Sequence, residues 1–326
     1  MFKTEIIAEA GLNHNGKIKN ALKLIDIAKK ANINLVKFQL FRTSNFINNK
    51  IIYKKINFSK VFKRFLSLEF NETQWRKIIN YAKKRKIQVF FSIFDTECIR
   101  ILKRLKSKIV KIPSGEITNI KLLREINKTR MRVILSTGMS NIREIKFALK
   151  ALRNCKVEIL HCVSEYPTKQ INLSTLKFLK RIFKRKIGFS DHTTSTTIPA
   201  LAVTLGCHII EKHFTYYKNQ SLGDHKLSLN PKELKIMTNK IRLAEKSLGV
   251  ENKVISKEEF KLQKIARKGT YFRKNLNKGD KVTEKDLIFL RPDLGISANN
   301  FYKILNKKCK KKISKFKPLN LKDFIK

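Results

Sequence analysis

Residues 187–214 read IGFSDHTTSTTIPALAVTLGCHIIEKHF. Two short apolar runs, Ile187–Ser190 and Ile209–Phe214, flank a helix candidate. Neither run alternates apolar with polar, which is how a strand covered on both faces is written. Both carry polar groups at their ends: Ser190, Asp191 and His192 in one, Glu211, Lys212 and His213 in the other. The same beat extends outward. Further runs lie at Ile6–Ala8, Leu35–Leu40, Val89–Phe94, Ile109–Ile112, Val133–Ser136 and Ile159–Val163, with amphipathic stretches such as Ile18–Lys30, Asn141–Leu152 and Pro231–Leu248 between or after them. Eight βα units over roughly 250 residues predict an α/β fold, a (β/α)8 TIM barrel, with function at the carboxy ends of its strands. A doubly wound sheet is the alternative, but no GxGxxG turn occurs.

The barrel is expected over 1–250, a polar linker over 251–265, and a small β-rich unit over 266–326. The stretch Phe41–Phe70 is too long for an ordinary βα connection and reads as a lid. Hydrophobic residues make up 42% of the 326-residue chain, enough for a substantial core. Five scattered cysteines without a CxxC pair argue against a disulfide framework or structural zinc and fit a reducing compartment. With no signal peptide and no membrane-length apolar run, a cytoplasmic protein is expected. The net charge of +48 raises the question of a nucleic-acid partner. Because the basic residues are dispersed, with one dense run at Lys307–Lys317, compositional drift is the better account. No nucleic-acid-binding module is present, and no membrane partner is expected.

The strand ends concentrate chemistry. Lys37 and Lys111 stand in strands that otherwise read as barrel lining, where a buried ammonium needs an anion. With Ser114, Ser136 and Ser190 they form a candidate phosphate and carboxylate cradle; the alternative is internal pairing with Glu9, Glu116 or Glu211. His192 and His213 come from adjacent strand ends and can reach one metal ion. His14 and His161 are candidates for supporting or oxyanion roles, His208 for structure, and His225 for facing substrate. Cys162 alternates to the side opposite His161 and reads as packing.

Taken in order, AEAGLNHNG, VKFQ, KIPSGEITN, ILSTGMS, LHCVSEYP, GFSDHT, IEKHF and GDHKLSLNP resemble the sialic acid synthase family, which covers N-acetylneuraminate, legionaminate and pseudaminate synthases. The tail ARKGTYFRKNLNKGDKVTEKDLIFLRPDLGIS resembles that family's antifreeze-like (SAF) domain. The resemblance implies condensation of phosphoenolpyruvate with an N-acylated mannosamine-type sugar, using Mn2+ or Mg2+ held by His192 and His213. It implies phosphoenolpyruvate on Lys37, Lys111, Ser114, Ser136 and Ser190. Gln39, Ser164, Tyr166 and Asp224 would contact the sugar, and Arg291 would reach the partner's site in a domain-swapped homodimer. Glu9 and Glu116 are the candidates for proton handling and charge stabilisation.

The sequence departs from the family pattern in three places. FSIFD replaces STPFD and reads as a shortened strand-three loop lacking a phosphate-contacting threonine, with Ser92 as its substitute. Ser164 stands where some members carry asparagine, and Ile47–Phe70 matches no familiar covering segment. The KFQ and GEITN variants lean toward legionaminate-type synthases, with N-acetylneuraminate close behind. Two rival readings are a Schiff-base aldolase using Lys37 or Lys111 and a basic nucleic-acid-binding protein.

Overall fold

Strand parity organises the molecule. Every second residue of a strand faces one side, so each barrel strand offers an inward set and an outward set. In the computed structural model, which describes residues 3–220 and 222–325, the strands are β1 (Glu5–Gly11), β2 (Leu35–Leu40), β3 (Gln88–Ile93), β4 (Ile109–Ile112), β5 (Arg132–Ser136), β6 (Lys156–Cys162), β7 (Ile187–Asp191) and β8 (Ile209–His213). They close into one parallel barrel in the order β1-β8-β7-β6-β5-β4-β3-β2. The predicted TIM barrel is therefore the observed fold.

Inside, Ile7, Leu35, Phe90, Ile109, Ile134, Leu160 and Ile209 form one buried apolar layer. β7 contributes Gly188 here because a side chain cannot fit. A Cβ at that position would lie 2.3 Å from Leu160 Cδ2 and 2.8 Å from Ile209 Cβ. Below this layer, Arg132 on β5 spans the barrel floor to Glu5 on β1, the opposite strand, with Nη1 donating to Oε1 at 3.1 Å. Arg132 Nε also donates to Glu158 Oε2 of β6 at 2.6 Å.

Outside lie α1 (Ile18–Lys30), α2 (Glu72–Lys84), α3 (Glu97–Arg104), α4 (Ile120–Asn127), α5 (Ile142–Ala151), α6 (Ser174–Phe183), α7 (Ile198–Thr204) and α8 (Pro231–Leu248), one after each strand. Their apolar stripes are the reason they dock. α8 buries Leu234, Met237, Thr238 and Ile241, a three-four spacing on one face. Each fully buried leucine or isoleucine stabilises by roughly 1.5–3 kcal/mol relative to exposure. Asn71, Asn141 and Asn230 each start a helix with a capping box, so the asparagine-rich composition still marks helix starts.

Between β2 and α2 the chain makes a short helix (Thr43–Phe46), a two-stranded ladder (Ile52–Tyr53 with Ile56–Asn57) and a helix over Phe58–Leu66. Asn57 caps that helix through Ser59 N at 2.9 Å and Lys60 N at 3.3 Å. The insert is anchored at its base, where Glu69 accepts from Arg42 Nη1 and from Thr43 N and Oγ1, all at 2.9 Å.

A second compact unit covers Val250–Lys326. Where a polar linker was expected, α9 (Lys257–Ala266) forms instead. The reason is local: Ser256 and Glu259 make a capping box, a helix start that composition alone hides. The unit has its own core, including Phe272, Leu276, Val282, Ile304 and Leu319, and pairs β9 (Gly269–Phe272) antiparallel with β10 (Leu287–Leu290). Among the described residues no helix is long and apolar enough to cross a membrane.

Candidate active site

One step toward the carboxy ends of the strands, the inward positions change from apolar to polar. Glu9, Lys37, Ser92, Lys111, Ser136, Ser190 and Glu211 line the floor of a cavity of about 410 Å3. That volume suits small-molecule ligands. Gln39 and His213 lie one parity step further up, and loops add Ser114, Ser164, Tyr166, His192 and Asp224. These include the residues singled out from the sequence, apart from Glu116, Arg291 and the candidate histidines His14, His161 and His225.

The charges are interlocked. Lys37 Nζ lies 2.8 Å from Glu9 Oε2 and 3.1 Å from Glu211 Oε2. Lys111 Nζ donates to Glu211 Oε1 at 2.9 Å, as does Ser190 Oγ at 2.8 Å. All four charged side chains are buried. Burial by itself would raise Glu211, but Lys111 and Lys37 outweigh it and hold the carboxyl well below its ordinary range. Glu9 goes the other way: burial raises it to about 7 despite the neighbouring Lys37. Burial would lower Lys37 too, but Glu211 and Glu9 raise it. Burial also lowers Lys111, against the opposing pull of Glu211. The floor therefore interlocks two lysines with two carboxylates, of which Glu211 is the one held firmly ionised.

The internal pairing considered from the sequence is thus real, and it does not exhaust the site. Glu9 Oε1, Ser136 Oγ and His213 Nδ1 are buried without a hydrogen-bond partner, and all three residues line this cavity. Buried polar atoms are normally satisfied, so a cluster of orphans in one cavity points to a polar ligand.

His192 and His213 face each other with ring centroids 5.7 Å apart. An Nδ1–H of His192 donates to the Val163 carbonyl at 2.8 Å, which leaves the lone pair on Nε2. Burial lowers His213 well below the usual imidazole range, keeping it neutral, and its Nδ1 sits 3.7 Å from Asp224 Oδ2. Two imidazoles beside a carboxylate fit a divalent cation. Among the described residues no three His, Cys, Asp or Glu side chains converge to hold an ion alone. Such an ion would complete its shell with substrate and water.

Several expectations change. Glu116 ends the short helical turn Ser114–Glu116 after β4 and does not line the cavity; Asn119, which caps α4, donates to its Oε2 at 2.7 Å. Ser92, the expected substitute for the missing threonine, stands in β3 in register with Gln39 and Lys111 and lines the cavity. Cys162 is the residue of β6 that faces the cavity, 3.7 Å from Ser114 Oγ, whereas His161 points outward, stacks on Phe189 and bonds Ile171 O at 2.8 Å. His14 is buried against Phe70, with ring centroids 4.4 Å apart, and burial lowers its pKa to about 3. Arg291 is exposed in the second unit.

Glu211 was the residue undervalued from sequence. Its signal is the alternation in IIEKHF, which puts Glu211 and His213 inward and Lys212 outward against Asp191, at 2.6 Å. The motifs AGLNHNG and GDHKLSLNP prove to be one assembly. Asn13 Oδ1 accepts from Asp224 N at 2.7 Å and its Nδ2 donates to Phe214 O at 2.8 Å, while His225 Nε2 meets Asn15 Oδ1 at 3.0 Å. This lock places Asp224 over the cavity.

The model of the NeuB family matches residues 24–253. The N,N'-diacetyllegionaminic acid synthase of Campylobacter jejuni is 41% identical over 322 residues, covering 94% of this chain and 96% of that one. The enzyme of the same name from Legionella pneumophila is 34% identical, covering 95% and 91%. A solved N-acetylneuraminic acid synthetase from Leptospira borgpetersenii superposes with a TM-score of 0.73 at 32% identity, covering 79% of this chain and 90% of its own.

Proposed function

The chain belongs to the NeuB family, and from that membership we propose that it condenses phosphoenolpyruvate with an N-acylated mannosamine-type sugar. The products are a nine-carbon, sialic-acid-type 2-keto acid and inorganic phosphate, with a legionaminate-type or N-acetylneuraminate product favoured. The observation that carries this reading is the cluster of orphaned polar atoms around two buried lysines in one strand-end cavity.

Lys37, Lys111, Ser114, Ser136 and Ser190 bind the phosphate and carboxylate of phosphoenolpyruvate through charge-assisted and hydroxyl hydrogen bonds. Gln39, Ser164, Tyr166 and Asp224 hold the sugar. His192 and His213 would hold Mn2+ or Mg2+, which when bound polarises the aldehyde oxygen and positions a water. The enol carbon attacks the aldehyde carbon, and cationic character develops at the phosphate-bearing carbon. Glu9, buried beneath it, stabilises that charge. Water adds there, and the tetrahedral intermediate expels phosphate by C–O cleavage. With its pKa near 7, Glu9 is able to take and return a proton at neutral pH.

The second unit is read as an antifreeze-like domain that completes a swapped homodimer. The support is α9, which buries no residue and leaves Phe260, Leu262 and Ile265 exposed, together with the family pattern around Arg291. A Schiff-base aldolase is disfavoured because both lysines are engaged by carboxylates.

The test is phosphate release from phosphoenolpyruvate with manganese, against N-acetylmannosamine and the 2,4-diacetamido-2,4,6-trideoxy sugars of mannose and altrose configuration. Release that needs one sugar and stops with EDTA supports the reading; no release with any of them defeats it. Glu9→Gln should keep the fold and cut turnover by about 10²–10⁴. Near-normal turnover would remove Glu9 from the chemistry. Borohydride with pyruvate should leave no adduct.

A further inference from the structure

The barrel wall has an outer layer as well as an inner one. Most outward positions of the strands are apolar and buried, as at Ala8, Val36, Phe91, Val110, Leu135 and Phe189. The carboxy ends of β7 and β8 break that rule. Asp191 and Lys212 are cross-strand partners in register, and Lys212 Nζ donates to Asp191 Oδ2 at 2.6 Å. Both side chains are fully buried. Two charges removed from water are costly, and apolar side chains of similar volume commonly hold a fold at least as well. The pair therefore needs a reason other than stability, and its place supplies one. His192 follows Asp191 in the chain and His213 follows Lys212. The contacts also close around His192. Thr193, on its other side, donates from N to Asp191 Oδ1 at 2.9 Å and from Oγ1 to Asp191 Oδ2 at 3.1 Å. Lys212 Nζ donates to the Thr193 carbonyl and, at 3.1 Å, to Thr193 Oγ1. One ammonium from β8, immediately before His213, thus holds both chain neighbours of His192.

Building on the reading of His192 and His213 as cation ligands, we propose that Asp191 and Lys212 are positioning residues for that site. They form a staple on the outer face of the barrel that fixes the spacing of the two imidazoles on the inner face. Strand parity separates the two layers: His213 and His192 line the cavity, whereas Lys212 and Asp191 do not. A cation site tolerates ligand distances only within about 0.2 Å of ideal, so small slips between the two strand ends count. Residues that orient metal ligands typically account for about 10–100-fold in metal affinity. The staple touches neither cation nor substrate and acts through the backbone of β7, β8 and the turn at Thr193.

The experiment titrates Mn2+ into metal-free, full-length protein, following loss of the free-ion electron paramagnetic resonance signal, with thermal melts on the same samples. Lys212→Met leaves Asp191 buried and unpaired and should melt about 10 °C below wild type. Asp191→Asn combined with Lys212→Met removes both charges and keeps an acceptor for Thr193 N, so it should recover most of that loss. In this double variant Mn2+ should still bind about tenfold or more weakly than in wild type. A purely structural pair predicts the opposite, metal affinity that follows stability. Affinity that returns to the wild-type value, or stability that does not return, would overturn the staple and leave the synthase reading intact. A wild type that binds no Mn2+, or His192→Ala and His213→Ala variants that bind it as tightly as wild type, would defeat the cation reading itself, and the staple with it.

Discussion

At the scale of single residues, the site depends on positions that lack a side chain as well as on those that carry one. Gly11 ends β1 with φ +48, and a Cβ there would lie 3.1 Å from Glu9 Oε1, 3.4 Å from Asp224 Oδ2 and 3.6 Å from Gln39 Nε2. Gly11→Ala should cost about 1–2 kcal/mol for the left-handed backbone. It should also lower kcat/KM, because the new methyl crowds Glu9 Oε1 at 3.1 Å. Thermal melts and steady-state kinetics on the same preparation check both effects, and wild-type kinetics would show that the cradle tolerates the intrusion. Which charged residues cluster was legible from their places at strand ends. How they pair was not, because Glu9 and Glu211 look alike in sequence yet are driven in opposite directions by burial and by two lysines.

Among the elements, strands and helices were read with small boundary differences, since uninterrupted apolar runs and three-four stripes are strong local signals. β2, β4, α1 and α8 have the expected limits. The misread segments were those whose signal is short. α9 hid in a polar stretch, and parity at the end of β6 was seen for Cys162 but its inward face was assigned to packing. The strands are also tied at their amino ends, where Arg132 joins β5 to Glu5 and Glu158, and His208 Nε2 lies 3.5 Å from Glu158 Oε1. Burial raises Glu158, but His208 and Arg132 outweigh it and hold it at about 2, below the ordinary 4.5. A depressed carboxyl contributes stability that is present above pH 4.5 and lost as pH falls toward 2. Glu158→Gln should therefore cost about 2 kcal/mol at neutral pH and only a few tenths of that near pH 2. Denaturant unfolding across that window measures it, and a pH-independent deficit would assign Glu158 a packing role only.

For the whole molecule, the proposed swap makes a sharp demand. If Arg291 serves the partner's site, His192→Ala and Arg291→Ala subunits should each be inactive alone and regain about a quarter of wild-type activity when mixed and allowed to exchange. That fraction follows because random pairing puts half the subunits' sites in mixed dimers, with one intact site in two. No recovery despite exchange would put Arg291 in its own chain's site or outside the chemistry. The net charge of +48 belongs to this scale as well. Spread along the chain, it favours encounter with an anionic substrate without building a nucleic-acid module.

The sequence by itself determined the barrel, the strand ends that carry the chemistry and the family to which the chain belongs, because apolar periodicity and ordered motifs are properties of neighbouring residues. The tertiary structure alone decided that Glu116 stands outside the cavity and that Glu211 joins two lysines. It also decided that Asn13 and Asp224 form one lock and that Asp191 and Lys212 pair behind the two histidines. Those outcomes rest on barrel closure, which brings residues more than two hundred positions apart within hydrogen-bonding distance, and no local pattern in the chain encodes that distance.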